Sequence, residues 1–326
     1  MATAGKERSR YGIAEWYGRR INDYTADELK ALASMGSAKL SGLPCPFRQA
    51  AQPGATCNKK GGICTVQKRT LQGNGTVLHN GPLVTLCPSR FWEDNFIFEI
   101  VGTQILNVET PIVLKEVQFL TSAVGLDEIE EKEGEAVGRI DSILIDPADS
   151  SRWCALELQA VYFSGEGMGG HIKQYEDPSE HIFPDANRRP DYRSSGPKRL
   201  MPQLQTKIPT LRRWGKKMSV VIDTPFRSSL GSFVTVKHLS NCDIVWFVVE
   251  YDETTGKLKL ADTIATTLES SIEALTAAIP LSQEAFQGQI DNFLLEKTAQ
   301  ARKKVLRLGK SAIGQDMTVE HSEELS

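Results

Sequence analysis

The sequence predicts a mixed α/β fold in which a central sheet is flanked by helices. Two apolar strands follow one another between Gly138 and Phe163. A further segment, Asp243 to Tyr251, is almost continuously apolar, which is typical of a strand buried on both faces at the centre of a sheet. Helical patterns occur before and after these strands, and this order indicates helices that pack on a sheet.

We expect three parts along the chain. Residues 1–90 begin with helices, because Thr25 and Glu28 form a capping-box pattern, and they continue into a loop-rich segment with many Gly, Pro and Cys residues. Residues 91–310 carry the sheet and its helices, and residues 311–326 form a disordered tail. A chain of 326 residues is long enough for one large domain or two smaller ones.

Several elements of the second part are predicted from periodicity. From Phe91 to about Leu120 the pattern changes from helix to extended chain, and Pro111 marks the break. Met218 to Asp223 is a short apolar strand. Two helices close the fold: one runs from about Thr263 to Ile279, and the other begins after Ser282 as its N-cap.

The composition is that of an ordinary globular protein, with 40% apolar and 24% charged residues. No apolar stretch approaches the length of a membrane-spanning helix, and the first residues lack the apolar core of a secretory signal. We therefore expect a cytoplasmic protein that binds no membrane and whose six cysteines form no disulfides.

The net charge of −3 conceals a basic segment, residues 187–217, in which ten Lys and Arg residues face one acid and give a local charge of +9. Prolines interrupt it repeatedly, so we predict a loop-like structure. Such a segment in a mildly acidic protein is typical of a polyanion-binding surface, and the alternative is a solvated basic loop. The candidate binding residues are Arg188, Arg189, Arg193, Lys198, Arg199, Lys207, Arg212, Arg213, Lys216 and Lys217.

Four cysteines lie in the loop-rich segment: Cys45, Cys57, Cys64 and Cys87. Eleven, six and twenty-two residues separate successive members, which is not the paired spacing of a zinc ribbon. Four thiolates nevertheless supply a closed coordination shell that suits zinc or iron. A segment with few apolar residues needs such a metal site to stabilise its fold. The alternative is four unconnected buried thiols.

Polar side chains interrupt both apolar strands of the 138–163 region. Asp141 lies on the first strand, and Glu157 and Gln159 share one parity on the second, so the latter two face the same side of a pleated sheet. Burying such groups unpaired costs roughly 2–7 kcal/mol. A divalent metal bridging Asp141 and Glu157 would compensate for that cost and could orient water on a phosphate. The alternative is a polar edge strand without chemistry.

Taken together, these motifs resemble the restriction endonucleases of the NotI and EagI type. The matching motifs include Gly12-Ile-Ala-Glu-Trp-Tyr-Gly-Arg-Arg, the four cysteines with Leu86-Cys87-Pro-Ser-Arg, and the strand pair with Leu156-Glu-Leu-Gln-Ala, in that order. The strand pair is also similar to the PD-(D/E)xK nuclease core, in which an acid is followed on the next strand by acid-x-lysine. Gln159 stands at the lysine position, and glutamine neither carries positive charge nor acts as a base.

The resemblance implies a type II restriction endonuclease that makes Mg²⁺-dependent double-strand cuts at a GC-rich palindromic site containing GGCC. It implies Asp141, Glu157 and Gln159 as catalytic residues, with Asp141 and Glu157 holding Mg²⁺ and Glu116 as a candidate auxiliary acid. The cysteines would hold structural iron or zinc, the basic segment would bind double-stranded DNA, and the protein would be a homodimer. Two alternatives stay open: a metal-stapled DNA-binding regulator without nuclease activity, and a repair nuclease with the same core.

Overall fold

A computed structural model describes residues 7–35, 42–121, 136–165, 168–177, 183–185, 187–277, 281–295 and 305. The chain divides into two compact units, Met1–Ala278 and Ile279–Ser326. The predicted division at residue 90 stays a prediction, and the predicted tail, residues 311–326, lies outside the described residues.

The strands all belong to the first unit. They are β1 (Arg8–Trp16), β2 (Arg19–Arg20), β3 (Ile63–Leu71), β4 (Val77–Thr85), β5 (Ile112–Thr121), β6 (Ala136–Asp146), β7 (Asp149–Leu158), β8 (Tyr162–Ser164), β9 (Arg189–Asp191), β10 (Met218–Asp223), β11 (Ile244–Tyr251) and β12 (Leu258–Thr266). The α-helices of the first unit are α1 (Ala26–Ser34), α2 (Phe96–Val101), α3 (Gly169–Lys173), α4 (Tyr192–Ser195), α5 (Met201–Arg213), α6 (Thr224–Ser228) and α7 (Leu268–Thr276). The second unit contains α8 (Gln283–Leu294), and its predicted N-cap is confirmed because the Ser282 side chain accepts a hydrogen bond from the N–H of Ala285.

The predicted mixed α/β fold is confirmed. The central sheet has the order β12-β11-β10-β7-β6-β5, in which β7, β10 and β11 are parallel and the remaining pairs are antiparallel. All residues of β10 and the first six of β11 are buried, as expected of central parallel strands covered on both faces. Strands β2-β1-β3-β4 form a second, antiparallel sheet, and β8 pairs with β9.

Hydrophobic clusters cover the two faces of the central sheet. On β11, Trp246 belongs to one cluster with residues of α1, α5 and α7, whereas Phe247 belongs to the other with residues of α2. Ala155 of β7 lies in the first cluster. Because side chains alternate along a strand, Glu157 lies on the same face as Ala155, towards α5. This packing brings the inner face of α5 onto the predicted site.

Part of the N-terminal prediction is wrong. The capping box is confirmed at α1, where the Thr25 hydroxyl accepts a hydrogen bond from the Glu28 N–H and the Glu28 carboxylate accepts one from the Thr25 N–H. However, the chain enters through strand β1 rather than a helix, and β3 and β4 lie in the segment predicted to be loop-rich. The Gly81-Pro82 pair in β4 and the register shift between Val66 and Lys68 obscure the alternation that identifies strands in the sequence.

The basic segment is helical, not loop-like as predicted. Helix α4, a π-helical turn at Gly196–Leu200 and α5 follow one another without interruption. Pro197 and Pro202 are the second residues of their helical elements, in the first turn, where proline is tolerated, and Pro209 lies within α5. Helix α7 also begins later than predicted, at Leu268, because the preceding residues continue β12. Among the described residues, no helix is both long enough and apolar enough to cross a membrane.

Candidate active site

Asp141 and Glu157 lie side by side on the antiparallel strands β6 and β7. Ser142 pairs with Leu156, so Asp141, one residue earlier, is opposite Glu157, one residue later. Asp141 is close enough for its negative charge to raise the pKa of Glu157, although burial raises it more. On its other side β7 pairs in parallel with β10, where Glu157 is the partner of Val220. The two predicted metal ligands are therefore neighbours at the centre of the sheet.

The two carboxylates differ in their access to solvent. The Glu157 side chain is 4% exposed, whereas that of Asp141 is 57% exposed. Asp141 opens onto a cleft of about 320 Å³ that residues of β5, β6 and α5 line. The pair thus has one acid anchored in the protein interior and one that a molecule in the cleft can reach.

Helix α5 places a third charged group at this pair. The Lys207 ammonium donates a hydrogen bond to Glu157 Oε2 at 2.7 Å and one to Gln203 Oε1 at 3.0 Å. It lies 3.9 Å from Asp141 Oδ1, and its side chain is 8% exposed. Lys207 also lines the cleft. The residue that the sequence offered as a surface polyanion contact is therefore buried among the predicted catalytic acids.

Burial and a like-charged neighbour raise the pKa of Glu157 to about 8. Desolvation is the largest cause and the nearby negative charge of Asp141 adds to it, while the Lys207 ammonium opposes both. The Lys207 ammonium therefore offsets only part of the free-energy cost of keeping Glu157 charged. A perturbed acid of this kind, next to a residue that lines a cleft, is typical of a functional site.

Gln159 and Glu116 lie close to the pair in different ways. Gln159 follows the end of β7; its N–H donates to the Val221 carbonyl, and its side-chain amide donates to the Ala160 carbonyl at 2.5 Å. Glu116 lies on β5 between Lys115 and Val117, which pair with Ser142 and Ile140, so its position is opposite Asp141. The Glu116 carboxylate is exposed and lies 3.5 Å from the Arg139 guanidinium. Glu116 also has φ of +52°, an uncommon conformation for a non-glycine residue.

The ten basic residues do not form one exposed surface. Arg188 and Lys207 are buried, and Arg212 is held by ion pairs with Asp243 and Glu269. Lys216 and Lys217 are half-buried and donate hydrogen bonds to backbone carbonyls. The basic side chains that are exposed are Arg189, Arg193, Lys198, Arg199, Arg212 and Arg213.

The four cysteines of the N-terminal segment are buried, free thiols in one region. Burial raises the pKa of Cys57, and the nearby Cys87 and Cys45 raise it further. Burial also lowers the pKa of Lys59, although the neighbouring Cys87, Cys64 and Cys57 oppose that shift. Among the described residues, no group of three or more His, Cys, Asp or Glu side chains is arranged to hold a metal ion. The structure therefore brings the thiols into one region without forming the expected ligand shell.

A comparison with known families covers the two acids, Lys207, the basic segment and the four cysteines. The model of the family described as restriction endonuclease NotI matches residues 29–260, more than half of the chain. No curated protein and no solved structure matches the chain. The family comprises type II restriction endonucleases, which are site-specific deoxyribonucleases that bind double-stranded DNA and generally use Mg²⁺. This chain belongs to the NotI restriction endonuclease family.

Proposed function

We propose that the protein makes Mg²⁺-dependent double-strand cuts at a GC-rich palindromic site containing GGCC, and that it does so as a homodimer. Asp141, Glu157 and Gln159 form the catalytic centre. The observation that carries this assignment is the pairing of buried Glu157 with exposed Asp141 at an open cleft, in a chain of the NotI family. Both acids lie within the matched residues.

The donor set fits magnesium. Mg²⁺ usually binds through one or two carboxylates and completes its shell with waters and substrate phosphates, so a pair of acids suffices. Two adjacent carboxylates with one lysine also leave negative charge that a divalent cation would neutralise. Mg²⁺ held by Asp141 and Glu157 would supply a Lewis acid that stabilises charge on the phosphate.

The protein groups then position the reactants. Hydrolysis forms a bond between a water oxygen and phosphorus, breaks one phosphorus–oxygen bond of the backbone and leaves a proton on the departing oxygen. Exposed Asp141 faces the cleft that receives the phosphodiester, and Glu157 is fixed by Lys207. Gln159 orients the water through its carbonyl oxygen, since its amide nitrogen is bound to Ala160. Glu116, opposite Asp141, is the auxiliary acid of the proposal.

The order of elements supports assignment to the PD-(D/E)xK superfamily. Helix α2 is followed by the antiparallel strands β5, β6 and β7, then by α5 and by β10, which pairs in parallel with β7. This order places an acid on each of two neighbouring strands and a helix across them. The departure from the superfamily pattern is the glutamine at position 159.

DNA contacts are assigned to the exposed part of the basic segment. Arg189, Arg193, Lys198, Arg199 and Arg213 are free to approach phosphates, and arginine side chains can also read guanine by paired hydrogen bonds in the major groove. A GC-rich site requires contacts of this kind. Arg188 and Lys207 contribute to the interior rather than to this surface.

Structural iron or zinc at Cys45, Cys57, Cys64 and Cys87 is a separate part of the proposal. It is supported by the resemblance and by the burial of the four thiols in one region. Elemental analysis of the purified protein tests it, and the expected result is one equivalent of iron or zinc that is lost on Cys57→Ser substitution. Protein that contains no metal as purified would remove this part.

Digestion of a sequenced plasmid rich in GGCC-containing palindromes tests the main proposal. Discrete fragments that appear only with Mg²⁺ and whose ends map to one palindrome are the expected result. Intact DNA at high enzyme concentration, across a tenfold range of Mg²⁺, would indicate a DNA-binding regulator, and a smear without discrete bands would indicate a repair nuclease.

The catalytic assignment is tested by substituting the two acids. Asp141→Ala and Glu157→Ala should each lower the cleavage rate by at least about a hundredfold, because each removes charge stabilisation specific to the transition state. Binding of the same DNA should be retained. Asp262→Ala, which removes an exposed acid on β12, is the matched control. Full cleavage by either active-site variant would move the centre elsewhere.

A further inference from the structure

We infer that Lys207 supplies the positive charge of the catalytic centre, in the role for which Gln159 is unsuited. The inference rests on the proposed nuclease function and deepens it. Lys207 reaches the acids from helix α5, across the face of the sheet, rather than from strand β7. Its ammonium has two tasks: it holds the buried Glu157 carboxylate in place, and it presents a donor to a phosphate oxygen in the cleft.

The position of Lys207 on α5 is one that an apolar residue would normally occupy. The buried face of α5 consists of Leu204, Lys207, Ile208 and Leu211, at the spacing of a helix stripe that faces a core. Lysine is almost never fully buried unless it is paired, and moving an ammonium from water to the interior costs several kcal/mol. A leucine at position 207 would continue the stripe without that cost, so packing does not account for lysine.

The hydrogen bonds of Lys207 leave one of its donors available. An ammonium has three N–H groups. One binds Glu157 at 2.7 Å and one binds Gln203 at 3.0 Å, while the 3.9 Å separation from Asp141 exceeds hydrogen-bonding distance. Because Lys207 lines the same cleft as Asp141, the third donor can reach a phosphate oxygen bound there. The geometry therefore suits contact with the substrate as well as with Glu157.

The neighbouring glutamine explains why the charge has to come from elsewhere. Gln159 carries no charge, and its side-chain nitrogen is already bound to the Ala160 carbonyl. A phosphodiester that is attacked by water gains negative charge on its oxygens, and a preorganised cation in a dry site stabilises that charge effectively. Among the described residues that line the cleft, the cations are Arg139 and Lys207, and Arg139 is exposed and paired with Glu116.

Single-turnover cleavage by Lys207 variants tests the inference. At saturating DNA and Mg²⁺, Lys207→Met should cleave at least about a hundredfold more slowly than the wild type, because a donor aimed at the transition state is lost. Its affinity for the same DNA, measured by fluorescence anisotropy with Ca²⁺ in place of Mg²⁺, should stay within about threefold, since uniform binding is not affected. Lys207→Arg should recover part of the lost rate because it restores the charge.

The control is Lys257→Met, which removes an exposed lysine paired with Asp94 and should leave cleavage and melting temperature unchanged. If Lys207→Met does not fold, Lys207→Gln replaces it, because glutamine keeps a hydrogen-bond donor for Glu157 without the charge. A rate within about threefold of the wild type in the folded variant, or full recovery of the rate with excess Mg²⁺, would overturn the inference. Failure of the wild-type protein to cleave would instead overturn the proposed function, so the two failures are distinguishable.

Discussion

Two buried clusters in this protein pair a cation with carboxylates, and they are built differently. Arg90 binds Glu15 through both prongs of its guanidinium, at 2.9 and 3.1 Å, and also donates to the Gly256 carbonyl at 2.7 Å. Lys207 makes a single close contact with Glu157, and Asp141 remains open to the cleft. The Arg90 cluster is closed on all sides, with side chains of Arg90 and Glu15 that are 1% and 4% exposed.

The closed Arg90 cluster stabilises the fold, whereas the open Lys207 cluster is the proposed reactive centre. Arg90 connects β1, the turn that follows Cys87 and the loop between β11 and β12, and its guanidinium lies over the rings of Phe47 and Tyr251. A planar guanidinium saturates its partners and leaves no place for a further ion. An ammonium that satisfies only part of a carboxylate pair leaves room for a divalent cation and a phosphate. Carboxylates that are only partly paired are therefore expected where a metal ion and a phosphate have to bind.

The largest expected effect comes from opening the closed cluster. Arg90→Met leaves Glu15 buried without its partner, and breaking a buried pair in this way costs about 3–5 kcal/mol. We expect the melting temperature to fall by roughly 4–7 °C for a chain of this size, measured by circular dichroism. Arg19→Met is the control, since it breaks an exposed pair with Glu28, and exposed pairs contribute little to stability. Equal melting temperatures for both variants would remove the distinction between the clusters.

The next effect concerns the pH dependence of stability. Replacing Glu157 should stabilise the protein, whereas replacing Arg90 should destabilise it. The pKa of Glu157 is raised to about 8 in the folded protein, so its contribution to stability is present below its unfolded pKa and is lost as pH rises towards 8. Glu157→Gln prevents this loss of stability at high pH because glutamine does not ionise. Without metal, we expect the variant to gain on the order of 3 kcal/mol relative to the wild type between pH 5 and pH 8.

Urea unfolding at both pH values measures that gain, and Glu15→Gln serves as the comparison. The Glu15 variant should be less stable than the wild type at both pH values because Arg90 loses a partner. A Glu157→Gln variant whose stability relative to the wild type is the same at pH 5 and pH 8 would contradict the expectation.

Metal binding should produce a smaller effect, confined to the open cluster. Ca²⁺ or Mg²⁺ at about ten times its dissociation constant should stabilise the wild type by about 1.4 kcal/mol, since only the folded state holds the site. In a chain of this size that corresponds to a rise in melting temperature of roughly 2 °C. The rise should vanish in Asp141→Asn and persist in Glu15→Gln. A rise that survives the loss of Asp141 would mean that the metal binds elsewhere.

The smallest effect is expected at a cation that belongs to neither cluster. Lys198 is exposed, and Lys198→Met should leave the melting temperature unchanged. It should reduce the steepness of the salt dependence of DNA binding by about one counterion, the effect of a single phosphate contact. Anisotropy titrations at several salt concentrations measure this slope, and an unchanged slope would remove Lys198 from the DNA-binding surface.

Much of the sheet and the acidic pair could be predicted because short-range patterns determine them. The continuous apolar runs of β10 and β11 and the capping box at Thr25 depend on neighbouring residues alone. The shared face of Glu157 and Gln159, which strand alternation predicts, stays a prediction because β7 ends at Leu158. The expectation that Asp141 would lie close to Glu157 follows from two strands joined by a short turn.

Lys207 could not be assigned to the centre from the sequence because two long-range facts decide its position. Prolines around it predict a loop and thereby mask the helical spacing of Leu204, Lys207 and Leu211, which is the signal of a buried lysine. The packing of α5 across β7 joins residues fifty positions apart. Similarly, β3 and β4 are stabilised by packing against the rest of the first unit, which local composition does not reveal.

Helix α5 carries Lys207 on its inner face and exposed Arg213 at its end, less than two helical turns away. If Arg213 contacts DNA as proposed, changes on the outer face of α5 that alter sequence preference should also shift the Lys207 ammonium at the acids, because the same helix carries both residues. Variants with altered specificity at this helix should therefore cleave more slowly, and compensating changes are expected among the residues against which α5 packs.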